Sequence, residues 1–239
     1  MPIKAVIFDL DGTLSSFNLD FKTVRAQTKA LLEEIGVPAS LLSLNESVFE
    51  MLSKTEEWAR NTGKPPQFVE KAKRASLVIT EKHEAEAALK TNLLPGVKGT
   101  LNALRNAGLK IGLCTINSEK SVSCILERFG IAAFFDATIT RNQVARVKPH
   151  PEHMEAALKV LGVSSAEAIV VGDSSVDMKS ASTLRAIAVG LPTGVSTVDQ
   201  LTNSGANYII TSLLDLPALI QEIDISRKKR SQGQEKSNL

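Results

Sequence analysis

Cysteine is scarce: Cys114 and Cys124 are the only two in 239 residues. No Cys-x-x-Cys or Cys/His spacing surrounds them, so neither a disulfide framework nor a zinc site is available, and the usage fits a reducing compartment. Long apolar runs are missing too; none approaches the roughly 18 residues that a bilayer-spanning helix needs. The opening segment meets Asp9 and Asp11 too early to be a signal peptide. A cytoplasmic protein without a membrane partner is expected. An excess of either charge is also absent. The 28 basic and 26 acidic residues leave a net charge of +2, which argues against nucleic acid as the main partner.

What is present is ordinary globular material. A hydrophobic content of 43% with little net charge excludes global disorder. The length suits one large domain or two modest ones. The charge is unevenly spread: residues 226–239 carry five basic residues against Glu235 alone, leaving 23 basic and 25 acidic residues elsewhere. A mildly acidic body with a basic tail follows. The tail is polar and without periodicity, so disorder is expected over 226–239.

Short apolar runs mark the strands. Ile3–Phe8, broken only by Lys4, is a short apolar run rich in β-branched and aromatic residues that predicts a buried parallel strand. Similar runs follow at Lys110–Cys114, Phe134–Ile139 and Ala168–Val171, with weaker ones at Ala186–Val189 and Tyr208–Ile210. Helical spacing separates them at Val97–Asn106, Glu119–Phe129, Glu152–Leu161, Val176–Leu184 and Leu213–Ile223. Alternation of this kind predicts right-handed β-α-β units and a doubly wound α/β domain with a parallel sheet. One stretch breaks the rhythm. Between Phe17 and Lys90 only helix-like spacing occurs, punctuated by Gly36-Val37-Pro38 and Gly63-Lys64-Pro65-Pro66. The expected organisation is therefore an α/β core over 1–16 and 93–225, with an inserted helical domain over 17–92.

Four polar groups follow the strands, where an open α/β sheet binds its ligands. Asp9 and Asp11 end the first strand, with Gly12 allowing a tight bend and Thr13 beyond it. A turn alone would also use Asp and Gly, but this group directly after a buried strand points to chemistry. Thr115 follows Cys114, with Asn117 just before a helix; a hydroxyl and helix amides can hold a phosphate oxygen, although Ser and Thr also cap helices. Lys148 sits in Lys-Pro-His-Pro-Glu, an ammonium able to balance phosphate charge in a proline-fixed loop. Asp173 and Asp177 open a helix after the fourth strand, suiting a direct Mg²⁺ ligand and a supporting carboxylate, or an N-cap and a first-turn acid.

Taken in chain order, these groups resemble the haloacid dehalogenase (HAD) superfamily, and most closely its phosphoglycolate phosphatase-like branch, where a helical cap lies between the first two motifs. Asp9 and Thr115 are 106 residues apart, but Thr115 and Lys148 only 33, which leaves room for a cap in the first gap alone. The resemblance implies a Mg²⁺-dependent phosphatase acting on a small phosphorylated metabolite through an aspartyl-phosphate. Asp9 is then the nucleophile and Asp11 the general acid and base. Asp9, the Asp11 carbonyl and Asp173 hold the metal. Thr115, Lys148 and Asn117 bind the substrate phosphate, and Asp177 orients Lys148 or a metal-bound water. The chain departs from the branch at Ile116, which separates Thr115 from Asn117, and in the Leu14–Asp20 segment after the first motif.

Other activities of the superfamily fit less well. A dehalogenase usually lacks an acid at the position of Asp11. A phosphomutase of the β-phosphoglucomutase type keeps the same core, but no His follows Leu14 shortly to serve the sugar; conversion of β-glucose 1-phosphate to glucose 6-phosphate without phosphate release would mark it. A non-catalytic phosphate-binding protein would not need every catalytic residue type. Beyond these groups, Cys114 reads as a small buried strand residue, Trp58 as packing, and His83 as a solvated helix residue. His150 and His153 read as loop or helix-start residues. Lys22 and Arg25 open the first cap helix, and nothing in the sequence fixes an oligomeric state.

Overall fold

The computed structural model describes residues 1–237. Six strands form one parallel sheet: β1 (Ala5–Phe8), β2 (Lys110–Cys114), β3 (Ala137–Ile139), β4 (Ala168–Gly172), β5 (Ile187–Gly190) and β6 (Tyr208–Ile209). Their spatial order is β3-β2-β1-β4-β5-β6. Val6 pairs with Ile111 on one side and Ile169 on the other, so β1 is central. The chain builds outward from β1 to β3, then returns to lay β4 beside β1. A topological switch point therefore opens between the carboxyl ends of β1 and β4, where such sheets bind ligands.

Burial on both faces explains why the strands read as continuous apolar runs. Ala5 and Ile7 join Val170, Met154, Leu161 and Met178 in one core cluster, under α6 (Pro151–Leu161) and α7 (Ser175–Thr183). Val6 and Phe8 point to the opposite face by the two-residue period of a strand. There α4 (Val97–Asn106) packs against β2 and against α9 (Leu216–Ser237). α5 (Glu119–Phe129) is capped by Ser118, and the short α8 (Val198–Asn203), which starts at a Thr197–Gln200 capping box, has too few residues to show a helical period.

Residue contacts divide the chain into Met1–Phe17 with Thr91–Leu239, and Asn18–Lys90. The second unit contains α1 (Phe21–Glu34), α2 (Val48–Asn61) and α3 (Pro66–Lys90). Leu32, Val37, Leu42, Met51 and Ala72 form its core, and Trp58 meets Phe68 edge-on at 5.8 Å. The buried stripe of α3 is Ala72, Ser76, Thr80, Glu84 and Ala88. Small and polar residues at a four-residue spacing let helices approach closely, and they blur the apolar period in the sequence. His83 is half-buried and shares an exposed hydrogen bond with Gln27 at 3.0 Å.

Composition predicts disorder over 226–239; in the structure α9 runs to Ser237. Lys, Arg, Gln and Glu are good helix formers, and the Arg227 guanidinium donates to Met1 O (3.1 Å) and Ala166 O (2.9 Å), tying the helix to the sheet domain. Asn238 and Leu239 lie outside the described residues. Among the described residues, no helix is long and apolar enough to cross a membrane.

Candidate active site

Four strand ends bring the polar groups together. Lys148 is the hub. Its loop is pinned by Glu152, whose carboxylate accepts from Ala145 N (2.8 Å) and Arg146 Nε (3.0 Å). His150 caps α6 through Nδ1, and Pro151 starts the helix. The Lys148 ammonium donates to Asp9 Oδ1 (2.7 Å), Asp177 Oδ1 (2.6 Å) and Cys114 O (2.8 Å), which occupies all three of its donors. Burial pulls its pKa down, but Asp177 and Asp9 more than offset this, so it stays charged.

One oxygen each of Asp9, Asp173 and Asp177 lies within 4.8 Å of the others. Burial pushes the Asp9 carboxyl well above the usual carboxylate range, against the pull of Lys148. Burial and the neighbouring Asp177 push Asp173 up to about 7. Lys148 pairs with Asp9 and Asp177 but not with Asp173, and a second cation would balance the three clustered acids. An all-oxygen donor set of this kind suits a hard divalent ion. The Asp11 carboxylate is outside this cluster; its expected part in metal binding is through the carbonyl.

Asp173 is held by groups distant in sequence. Its Oδ2 accepts from Val195 N (2.8 Å), and Thr13 Oγ1 donates to Oδ1 (3.4 Å). Two glycines permit this. Gly12 has φ +81°, and a Cβ there would come within 2.5 Å of the Asp173 carboxyl. A Cβ on Gly194 would come within 1.8 Å of Asp173 Oδ2. The 193–195 loop escaped the sequence reading, since only the fold brings it to β4. Asp177 Oδ2 accepts from Ser174 N (3.2 Å) in a capping box that starts α7, so this residue serves both its helix and Lys148.

Thr115 directly follows β2, bonded through its amide to Ile139 O (3.0 Å), and its Oγ1 accepts from Asn117 N (3.3 Å). The side-chain amide of Asn117 donates to Asp11 Oδ2 (2.7 Å). Burial pushes the Cys114 thiol up to about 12, which leaves it without nucleophilic character. In the helical unit, Arg25 stacks over Phe21 at 4.7 Å and donates to Leu44 O.

The haloacid dehalogenase-like hydrolase family model matches residues 3–184, spanning all four groups. The chain belongs to that family. Phosphoglycolate phosphatase from Shigella dysenteriae serotype 1 (strain Sd197) is 30% identical to this hydrolase over 233 residues, covering 91% of this chain and 92% of its own. The phosphoglycolate phosphatase of Escherichia coli (strain K12) gives the same figures. Among solved structures, a hydrolase from Pseudomonas syringae is 25% identical, with a TM-score of 0.67 over 93% of this chain and 99% of that one. This haloacid dehalogenase-like hydrolase is an enzyme of the phosphoric monoester hydrolase class. Such phosphatases generally use a divalent metal, for which the acidic cluster offers donors.

His153 gives a measurable pH signature. It is buried in α6, and its Nδ1 accepts from Lys148 N (3.3 Å). Burial, aided by the Lys148 charge, pushes its pKa down to about 4. The unfolded imidazole then binds a proton that the folded one refuses, so stability is full above pH 6.5 and falls as pH drops towards 4. The stability lost between pH 7 and 4.5 is expected to be about 2.5 kcal/mol smaller in His153→Gln than in the native chain. Urea titrations at the two pH values measure it, and parallel losses would contradict it.

Proposed function

We propose that this hydrolase is a Mg²⁺-dependent phosphatase that cleaves a small phosphomonoester of the phosphoglycolate type through an aspartyl-phosphate on Asp9. The observation that carries this reading is Asp9 itself: a carboxylate at the central strand end, ion-paired to Lys148, beside two further carboxylates. Asp9 attacks phosphorus as the bond to the leaving oxygen breaks, which splits hydrolysis into two easier displacements. The electron pair goes to the leaving oxygen, which takes a proton from Asp11. In the second displacement water attacks phosphorus, its proton passes to Asp11, and the Asp9 carboxylate is released.

Lys148 exchanges its bond to Asp9 for a phosphoryl oxygen as the Asp9 oxygen engages phosphorus, while Asp177 keeps the ammonium aimed at the site. Thr115 Oγ1 donates to a second phosphoryl oxygen. Both contacts place positive charge where it is needed in transfer. Asp9, the Asp11 carbonyl and Asp173 would hold Mg²⁺, which supplies charge neutralisation between nucleophile and phosphoryl group. A kinetic screen over phosphoglycolate, sugar phosphates, nucleotides and pyrophosphate tests the substrate class; a preference for a small phosphomonoester supports it, and a preference for pyrophosphate or nucleotides overturns it.

The close approach at Gly194 makes a separate prediction. Gly194→Ala drives a methyl group into the Asp173 carboxylate, so the Mg²⁺ concentration for half-maximal activity is expected to rise about tenfold or more. Gly99→Ala, whose Cβ would meet only Leu214 at 4.0 Å, is the control and leaves the Mg²⁺ requirement unchanged.

A further inference from the structure

Both oxygens of the Asp11 carboxylate are held. Ser15 Oγ donates to Oδ1 at 3.0 Å, and Asn117 Nδ2 donates to Oδ2 at 2.7 Å. Ser15 is fully buried and Asn117 is 5% exposed, so neither contact is a loose surface pairing. The loop that carries Asn117 is itself fixed from the turn after β3. Arg141 N donates to Asn117 O (3.3 Å), and the buried Arg141 guanidinium donates through Nη1 to Ile116 O (3.0 Å). Asn142 Oδ1 accepts from Glu119 N (2.9 Å), which secures the first turn of α5. Residues 116–119 are thereby held at three points, and the Asn117 amide reaches Asp11 from a fixed base.

We propose that Asn117 is a positioning residue for Asp11, and that Arg141 anchors the loop from which it acts. The inference rests on the acid/base reading of Asp11. The donor inventory gives it content. An amide NH₂ only donates, whereas a hydroxyl both donates and accepts. Oδ2, facing the NH₂, is a fixed acceptor, and the carboxyl proton belongs on Oδ1, where the Ser15 hydroxyl can turn to accommodate it. Asn117 thus fixes the orientation of the carboxyl group and the oxygen that carries the proton. It acts through Asp11 and not as a ligand of the phosphoryl group. Its place one residue beyond the expected position puts its side chain within reach of Asp11.

Leaving-group dependence tests this, read in kcat/KM, which reports the chemistry up to the formation of the aspartyl-phosphate. An alkyl phosphate such as phosphoglycolate needs its leaving oxygen protonated; p-nitrophenyl phosphate does not. In Asn117→Ala, kcat/KM on the alkyl phosphate is expected to fall about 10–100-fold and on the aryl phosphate less than about threefold. Inhibition by inorganic phosphate should change less than about twofold. The isosteric Asn117→Asp, which faces Asp11 with an acceptor, should show the same selectivity if the alanine variant does not fold. In an Asp11→Asn background, Asn117→Ala should add little, because the group it positions is already gone.

Equal losses on both substrates with weaker phosphate inhibition would overturn the proposal and make Asn117 a phosphate ligand. Unchanged kinetics on both would also overturn it. Asp11→Asn separates the two readings. If that variant itself lacks leaving-group selectivity, the acid role of Asp11 fails and the inference with it. If Asp11→Asn is selective and Asn117→Ala is not, the inference alone fails.

Discussion

Asp9→Asn is expected to lower kcat by about 10⁴-fold or more, because an amide cannot form the acyl phosphate on which both displacements depend. The fold should survive. Asparagine keeps the shape of the side chain, and the exchange removes one of three carboxylates crowded within 4.8 Å. Losing that repulsion in a buried place offsets the lost bond to Lys148. The melting temperature in the absence of metal is therefore expected to stay within a few degrees of the native value or to rise. Circular dichroism melts beside phosphate-release assays read both effects. Normal Mg²⁺-dependent turnover in Asp9→Asn would remove the nucleophile assignment.

Lys148→Met should affect both activity and stability. The Lys148 side chain is 2% exposed, and its ammonium holds Asp9 and Asp177 simultaneously. Removing it leaves two buried carboxylates without their partner, a change that costs about 3–5 kcal/mol for a buried pair. Activity should fall about 10²–10³-fold or more, as for the loss of one preorganised donor to the transferring group. The two effects can be separated. Adding Asp177→Asn removes one stranded charge and should restore part of the stability, but none of the activity. Denaturant titrations of the single and double variants measure the stability, and equal stability of both would show that the Asp177–Lys148 pair does not carry the expected energy.

The architecture was largely legible because parallel strands buried on both faces read as uninterrupted apolar runs. β1, β2 and β4 stood out for that reason. β6 has only two residues, one of them exposed, and gave a weaker signal. The six residues of α8 are too few for a period to appear, and α9 outran its apolar stretch because Arg227 bonds to Met1 and Ala166, partners that no local pattern contains. The order of the strands was not readable; it follows from packing the returning β4 against β1.

At the site, the residues standing at strand ends were visible one by one. Asp9, Thr115 and Asp173 each interrupt or follow an apolar run. Their mutual contacts were not visible. Val195 bonded to Asp173 lies 22 positions away, and Asn117 bonded to Asp11 lies 106 away. Arg141 gave no signal, as one arginine in a polar loop looks like many others. Gly194 became meaningful only once the Asp173 carboxylate was found against it. The motif supplies the groups, while the fold determines which atoms they engage.

The central claim is the covalent intermediate on Asp9. Rapid quenching of the enzyme during turnover, reduction with borohydride and peptide mass spectrometry test it most directly. An acyl phosphate is reduced to an alcohol, so the account predicts homoserine at position 9 in the Mg²⁺- and substrate-treated enzyme and aspartate there when substrate is omitted. Active turnover with residue 9 remaining aspartate, or homoserine at position 11, 173 or 177 instead, would contradict it.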